Sequence, residues 1–213
     1  WDTTGTDEKV ILDFNGDSLY DPPKKKMEGS YSSGDKEGVW TRWFANGNRK
    51  EESNFKTGKL NGSITKWYEG GTKSEEGNYD NGKQNGKWVW YWESGIKKEI
   101  TTFIDGQQEG LWTTWYEDGT KKSERKFENG ERDSGWTTWY EDGNKKFQAT
   151  YSNGKLNGSW TSWYSGGIVK EKTGFYLNNQ LDKKWTYWSE NGQKTKVVTY
   201  INGMKNGSYI IWN

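Results

Sequence analysis

Apolar positions along this chain follow no helical period. They come in short runs of aromatic and β-branched residues, broken by Gly, Asn and Asp. That pattern predicts strands joined by tight turns. The runs also repeat. Trp112-Thr-Thr-Trp-Tyr116, followed by Glu117-Asp118-Gly119, returns 24 residues on as Trp136-Thr-Thr-Trp-Tyr140 with Glu141-Asp142-Gly143, and 24 further on as Trp160-Thr-Ser-Trp-Tyr164. A fixed period of this length marks a repeat array. Its first aromatic sets the phase at Trp40, Ile64, Trp88, Trp112, Trp136, Trp160, Trp185 and Tyr209. Every interval is 24 except that from Trp160 to Trp185, which is 25; the extra residue is placed near Ile168–Val169.

Other positions keep step with this anchor. A second aromatic follows three residues later: Trp43, Trp67, Tyr91, Trp115, Trp139, Trp163, Trp188 and Trp212. Gly follows after seven residues, as at Gly119, and a further aromatic after fifteen or sixteen, as at Phe127 and Tyr151. Asn-Gly pairs come next, and Gly38, Gly62, Gly86, Gly110, Gly158 and Gly207 stand two residues before anchors. Each unit is therefore predicted to be two strands of five to seven residues and two tight turns. The first strand runs from the anchor to about four residues later, and the second has the form Lys-Lys-x-Glu-x-x-Tyr. The expected fold is all-β, an elongated twisted array of consecutive antiparallel β-hairpins with a repeat of about 24 residues over 24–213. Residues 1–23 read as a lead-in and capping hairpin, with Lys9–Phe14 as a strand, Asn15-Gly16 as its turn, Asp17–Tyr20 as the return and Asp21-Pro22-Pro23 as a break. Alternation along a strand sends Trp112 and Trp115 to opposite faces and places Tyr116 with Trp112, so both faces carry aromatics.

Tyr151-Ser-Asn-Gly-Lys-Leu-Asn-Gly-Ser-Trp160 and Tyr79-Asp-Asn-Gly-Lys-Gln-Asn-Gly-Lys-Trp88 resemble the MORN repeat. The longer unit, with Trp-Tyr-x-x-Gly-x-Lys-Lys, is similar to the bacterial MORN variant found in proteins described as antitoxins. The resemblance covers roughly Lys24 to Asn213. It implies protein–protein scaffolding, with membrane or lipid association in some relatives, and carries no catalytic residue. Ile64 in an anchor place, and Ser134 and Lys183 in Gly places, depart from the pattern. Choline-binding and clostridial-toxin repeats, with their Gly-x-Trp-Tyr-Tyr hairpins, are a less close match: their unit is shorter and lacks the Lys-Lys-x-Glu strand.

Composition narrows the chemistry. The chain has no Cys and no His, which removes disulfides, thiol chemistry, the usual nucleophile triads and zinc sites built on those residues. The adjacent acids Glu117-Asp118 and Glu141-Asp142 recur in a turn, where a catalytic pair would be unique; they read as turn formers. Asp80-Asn81-Gly82 and Glu128-Asn129-Gly130 offer oxygens to Ca²⁺ but without EF-hand spacing. No enzyme activity and no cofactor is expected. With 31 basic and 30 acidic residues, nothing global points to nucleic acid or an acidic membrane, and no apolar run is long enough to span a bilayer. The lysine pairs Lys97-Lys98, Lys121-Lys122 and Lys145-Lys146 read as solvated strand edges ahead of a basic stripe. Asn61-Gly-Ser63, Asn157-Gly-Ser159 and Asn206-Gly-Ser208 are sequons ascribed to a shared turn. A chain starting at Trp1 fits removal of an export signal or truncation, and a secreted or surface location is preferred to a cytoplasmic one.

The expected function is a non-enzymatic scaffold for a protein partner. Its binding face carries the second aromatics Trp43, Trp67, Tyr91, Trp115, Trp139, Trp163 and Trp188, while the anchors form the core. One alternative is a fibre subunit joined head-to-tail through the apolar edge Tyr209, Ile210, Ile211 and Trp212. Another is a carbohydrate- or choline-type binding module using the aromatic rings.

Overall fold

The structure, a computed structural model, describes the backbone of residues 8–14 and 24–213, with side chains from residue 25 onward. The Asn15-Gly16 turn and the return strand Asp17–Tyr20 lie outside the described residues. Two compact units divide the chain, Trp1–Gln107 and Gln108–Asn213.

The first unit contains β1 (Glu8–Phe14), β2 (Lys24–Ser32), β3 (Asp35–Trp43), β4 (Arg49–Lys56), β5 (Lys59–Trp67), β6 (Lys73–Asp80), the short β7 (Lys83–Gln84), β8 (Gly86–Tyr91) and β9 (Lys97–Ile104). The second contains β10 (Gln107–Trp115, its first residue at the boundary), β11 (Lys121–Glu128), β12 (Glu131–Trp139), β13 (Lys145–Ser152), β14 (Lys155–Trp163), β15 (Lys170–Leu177), β16 (Gln180–Trp188), β17 (Lys194–Ile201) and β18 (Met204–Ile211). Within each unit consecutive strands pair antiparallel, so the chain is an all-β run of hairpins. No helix occurs among the described residues.

Most strands are eight or nine residues long, not five to seven. The difference lies at the position two residues before the anchor, usually Gly, which does not end a strand except where β7 and β8 part before Gly86. It forms a bulge inside one. In β14, Leu156 pairs with Tyr151 and Trp160 with Ala149, so Asn157, Gly158 and Ser159 face only Thr150. Gly158 takes φ 133° there; in the same position Ser134 has φ 61° and Lys183 φ 59°. These two accept the left-handed backbone that the bulge imposes. The three sequons accordingly sit in a strand bulge and not in a turn.

The true turns are of two kinds. Asn153 (φ 48°) and Gly154 (φ 72°) have the doubly positive backbone of a type I′ hairpin turn, and Asn178-Asn179 repeats it at φ 49° and 68° without Gly. The other turn is longer. The Tyr116 amide donates to the Thr120 carbonyl and the Gly119 amide to that of Tyr116. In the irregular repeat Tyr164 N–H reaches Val169 instead, five residues on, so the extra residue is absorbed in this turn and the strands keep their register.

The anchors occupy one face. In the second unit the row Trp112–Arg125–Trp136–Ala149–Trp160 is joined by direct cross-strand pairing. Trp40, Ile64, Trp88 and Trp185 are 3% exposed or less. Trp112, Trp136 and Trp160 are half-buried, and Tyr209 is exposed, at 54%. The opposite face is partly covered too: Val89 and Val197, next along the strand from the anchor row, are buried. In each unit the sheet thus shields both of its sides with its own side chains.

The best-buried anchors rest on glycine. Trp40 lies over Gly29, Trp88 over Gly77 and Trp185 over Gly174, each eleven residues earlier in sequence; a Cβ there would meet the ring at 2.2–2.3 Å. That contact lets each indole donate to the neighbouring backbone carbonyl, at Ser30, Asn78 and Phe175 respectively. Where Ser53 takes the glycine's place, the anchor is Ile64. Where Arg125 takes it, Trp136 is only partly buried. The ring nitrogens of Trp112 and Trp136 then have no partner among the described residues, and the Arg125 guanidinium lies between the two rings, 4.4 Å from one and 5.2 Å from the other.

Candidate functional site

The second aromatic ends each outgoing strand. Trp43, Trp67, Tyr91, Trp115, Trp139, Trp163 and Trp188 all fall at this register, each opposite the first basic residue of the return strand: Arg49, Lys73, Lys97, Lys121, Lys145, Lys170 and Lys194. All seven aromatics are half-buried. Strand alternation puts them on the face opposite the anchors, together with the residue that follows each anchor. The run Trp-Thr-x-Trp therefore separates its two Trp residues while pairing its Thr with the second. Mostly Glu, Thr and Val line the middle of that face: Thr41–Glu52–Thr65–Glu76–Val89–Ile100 in the first unit and Thr113–Glu124–Thr137–Gln148–Thr161–Thr173–Thr186–Val197 in the second.

A return-strand bulge follows at once, because Thr114 pairs with Ser123 but Trp115 with Lys121. It turns the two lysines of a Lys-Lys pair to different jobs. Lys121 lies over Trp139 of the next repeat at 5.3 Å, while Lys122 lies over Tyr116 of its own hairpin at 5.3 Å. Lys145 and Lys146 repeat this over Trp163 and Tyr140 at 5.9 and 5.4 Å. The sequence reading of these pairs as merely solvated edges missed their role as ring covers.

Successive repeats are tied by tyrosine. The hydroxyls of Tyr68, Tyr116, Tyr140 and Tyr164 donate to the backbone carbonyls of Tyr91, Trp139, Trp163 and Trp188, at 2.7–2.9 Å. Each tyrosine is thus spent on locking the strand end that presents the next second aromatic. Burial raises the pKa of Tyr116 and Tyr140, with nearby carboxylates adding to the effect. At Tyr91, burial and a hydrogen bond donated to Glu76 push the phenol to about 12. Hydrogen bonds from Lys73 and Tyr91 hold Glu76 below its ordinary value.

The adjacent acids form turns. Asp118 and Asp142 accept hydrogen bonds from the amides of Thr120 and Asn144 two residues on. Asn81 and Asn129 occupy left-handed turn positions at φ 48° and 52°. Among the described residues no group of three acidic side chains is arranged to hold a metal ion. At the other proposed site, all eight residues of β18 are exposed, with Met204 at 71% and Ile211 at 60%. Tyr209, Ile210, Ile211 and Trp212 remain accessible along it, although the Trp212 amide is held by the Thr195 carbonyl.

The family model described as MORN repeat variant matches residues 36–57, 84–105, 108–129 and 136–153. Comparison with curated proteins finds no match. The four windows fall on the hairpins in register with the 24-residue period, each placing an anchor, a second aromatic or both between its turns. The chain is a MORN-repeat protein, a repeat scaffold built from the variant form of that motif.

Proposed function

We propose that this scaffold binds a protein partner through the face that carries the second aromatics. MORN repeats generally mediate protein interactions. The observation that carries the reading to this face is its regularity. Seven aromatic side chains stand at one register, half-exposed, and each pairs across the strands with a basic residue. The anchor face, by contrast, keeps its rings for packing. Aromatic and basic side chains held in place by the fold are what central binding contacts need, since little side-chain freedom is then lost on association.

The test is photo-crosslinking. A photoreactive amino acid at Trp115, Trp139 or Trp163 in the full chain should capture a discrete protein in cells, whereas the same group at the exposed turn residues Asn153 or Asn202 should not. Equal labelling at both sets of sites would defeat the reading. Self-association through β18 is a second reading, favoured by its exposed Met204, Tyr209 and Ile211. Light scattering over a concentration series should then show growth that Ile211→Lys abolishes; a monomer at all concentrations would exclude it.

A further inference from the structure

Charge is not spread evenly over this array. Residues 145–213 hold ten lysines against three acidic residues, Glu171, Asp182 and Glu190; residues 1–144 hold 21 basic and 27 acidic. The near-neutral total conceals this division. Within the second unit alone, residues 108–144 carry five basic and nine acidic side chains before the balance reverses.

The structure locates the reversal on the aromatic face. In three of the four earlier hairpins the basic residue opposite the second aromatic is neutralised by a Glu three positions on, which lies in the middle row of that face; in the fourth, Lys97 has Ile100 there. Arg49 pairs with Glu52, Lys73 with Glu76 and Lys121 with Glu124, at 3.3, 2.7 and 2.8 Å. From β13 onward the same places hold Gln148, Thr173 and Val197. Lys145 donates to the Gln148 amide oxygen in place of a carboxylate, and none of Lys145, Lys170 and Lys194 makes an ion pair among the described residues. The cations persist while their internal counter-charges are gone. Retained cations without internal partners present a surface complementary to an acidic ligand.

Spacing narrows the ligand. Lys145, Lys170 and Lys194 lie on β13, β15 and β17, opposite Trp139, Trp163 and Trp188. Alternate strands are about 9.6 Å apart, twice the usual interstrand distance. A polyproline-II helix advances about 9.3 Å in three residues. It brings every third side chain back to the same side, at nearly the period of the lysines. Proline rings also pack on aromatic platforms, and this helix loses little conformational freedom when bound. We propose that the Trp/Lys face of β13–β17 binds an acidic, proline-rich segment of a partner protein in the polyproline-II form, laid across the strands with a carboxylate at every third residue. This rests on the protein-binding reading above and names the partner's chemistry.

A fluorescent (Glu-Pro-Pro)5 peptide titrated into the full chain tests it. Saturable binding is expected, weakening about tenfold or more between low and high salt. Lys145→Gln/Lys170→Gln/Lys194→Gln should weaken it about tenfold, while Lys73→Gln/Lys121→Gln should leave it unchanged. A peptide of equal composition with its glutamates gathered at one end should bind about fivefold less tightly. Thermal melting of both lysine variants establishes that they fold. Equal affinity for the two peptides, an unaffected triple variant, or stronger binding of polyuridylate or a sulfated glycan overturns the proposal. A partner crosslinked at Trp115 that is indifferent to the triple substitution would overturn it while leaving the protein-binding reading intact.

Discussion

The same anchor tryptophan is held in two ways. In the first unit Trp88 lies flat on Gly77, is 0% exposed and donates its ring N–H to the Asn78 carbonyl. In the second, Trp112 and Trp136 flank Arg125 and neither ring nitrogen finds a partner among the described residues. Both arrangements occupy one register of one repeat. Between Trp88 and Trp136 the difference lies in the residue eleven positions before the anchor, Gly77 in one case and Arg125 in the other. Without a Cβ the ring descends onto the backbone; with a long cationic side chain it is lifted and stacked. The first arrangement gains burial and a hydrogen bond, the second a cation–π stack that leaves polar nitrogens unsatisfied. Repeats that look equivalent in sequence are therefore expected to differ in stability.

Removing the rings tests this most directly. Trp88→Ala should cost about 4 kcal/mol, whereas Trp136→Ala, from a half-buried site, should cost about half that. Equal losses in denaturant unfolding would erase the distinction. Gly77→Ala comes next. Its new Cβ would meet the Trp88 ring at 2.3 Å, and overpacking of that kind costs about 1–3 kcal/mol. Ring displacement should also expose the indole N–H to hydrogen exchange. A substitution without cost would show that the glycine contact is incidental.

Arg125→Met keeps length and packing while removing the charge between Trp112 and Trp136. The expected loss is about 1 kcal/mol, with a change in the fluorescence of those two rings; no change in either would reduce Arg125 to a spacer. The smallest effect concerns the Glu76–Tyr91 pair on the opposite face. Glu76 is lowered in the fold from 4.5, so its contribution is present above that pH and disappears as pH falls through the folded value. Tyr91 is raised from 10.0 to about 12, so its contribution is full below 10.0 and is lost as pH rises toward 12. Both partners are near the surface, and each limb should amount to less than about 1 kcal/mol. Glu76→Gln should flatten the acid limb and Tyr91→Phe the alkaline one in thermal melts across pH; unaltered limbs would exclude the pair as their source.

Much of the candidate site was legible in the sequence. The register of Trp115, Trp139 and Trp163, their separation from the anchors, and the turn role of Asp118 and Asp142 all follow from period and residue type. What escaped were relations between strands. Gly29, Gly77 and Gly174 each precede a buried anchor by eleven residues, a signal hidden among many turn glycines. The lysine pairs were visible, but their ring partners were not, because Lys121 and Trp139 become neighbours only after the chain has turned back. Charge segregation was countable throughout, yet only pairing shows that Gln148, Thr173 and Val197 replace the glutamates that would have neutralised the face.

By itself the sequence determined what is local and repeated: β-strands from aromatic and β-branched runs, I′ turns from Asn-Gly, and one hairpin per 24 residues. Those features arise from backbone preferences acting over a few residues, and repetition makes each signal stronger. Tertiary structure decided the rest. It made the Gly before most anchors a bulge within a long strand, because the ladder on either side holds the chain in register through it. It also set how deeply each tryptophan sinks, since that depends on the volume of a side chain across the ladder, which proximity in sequence does not reveal.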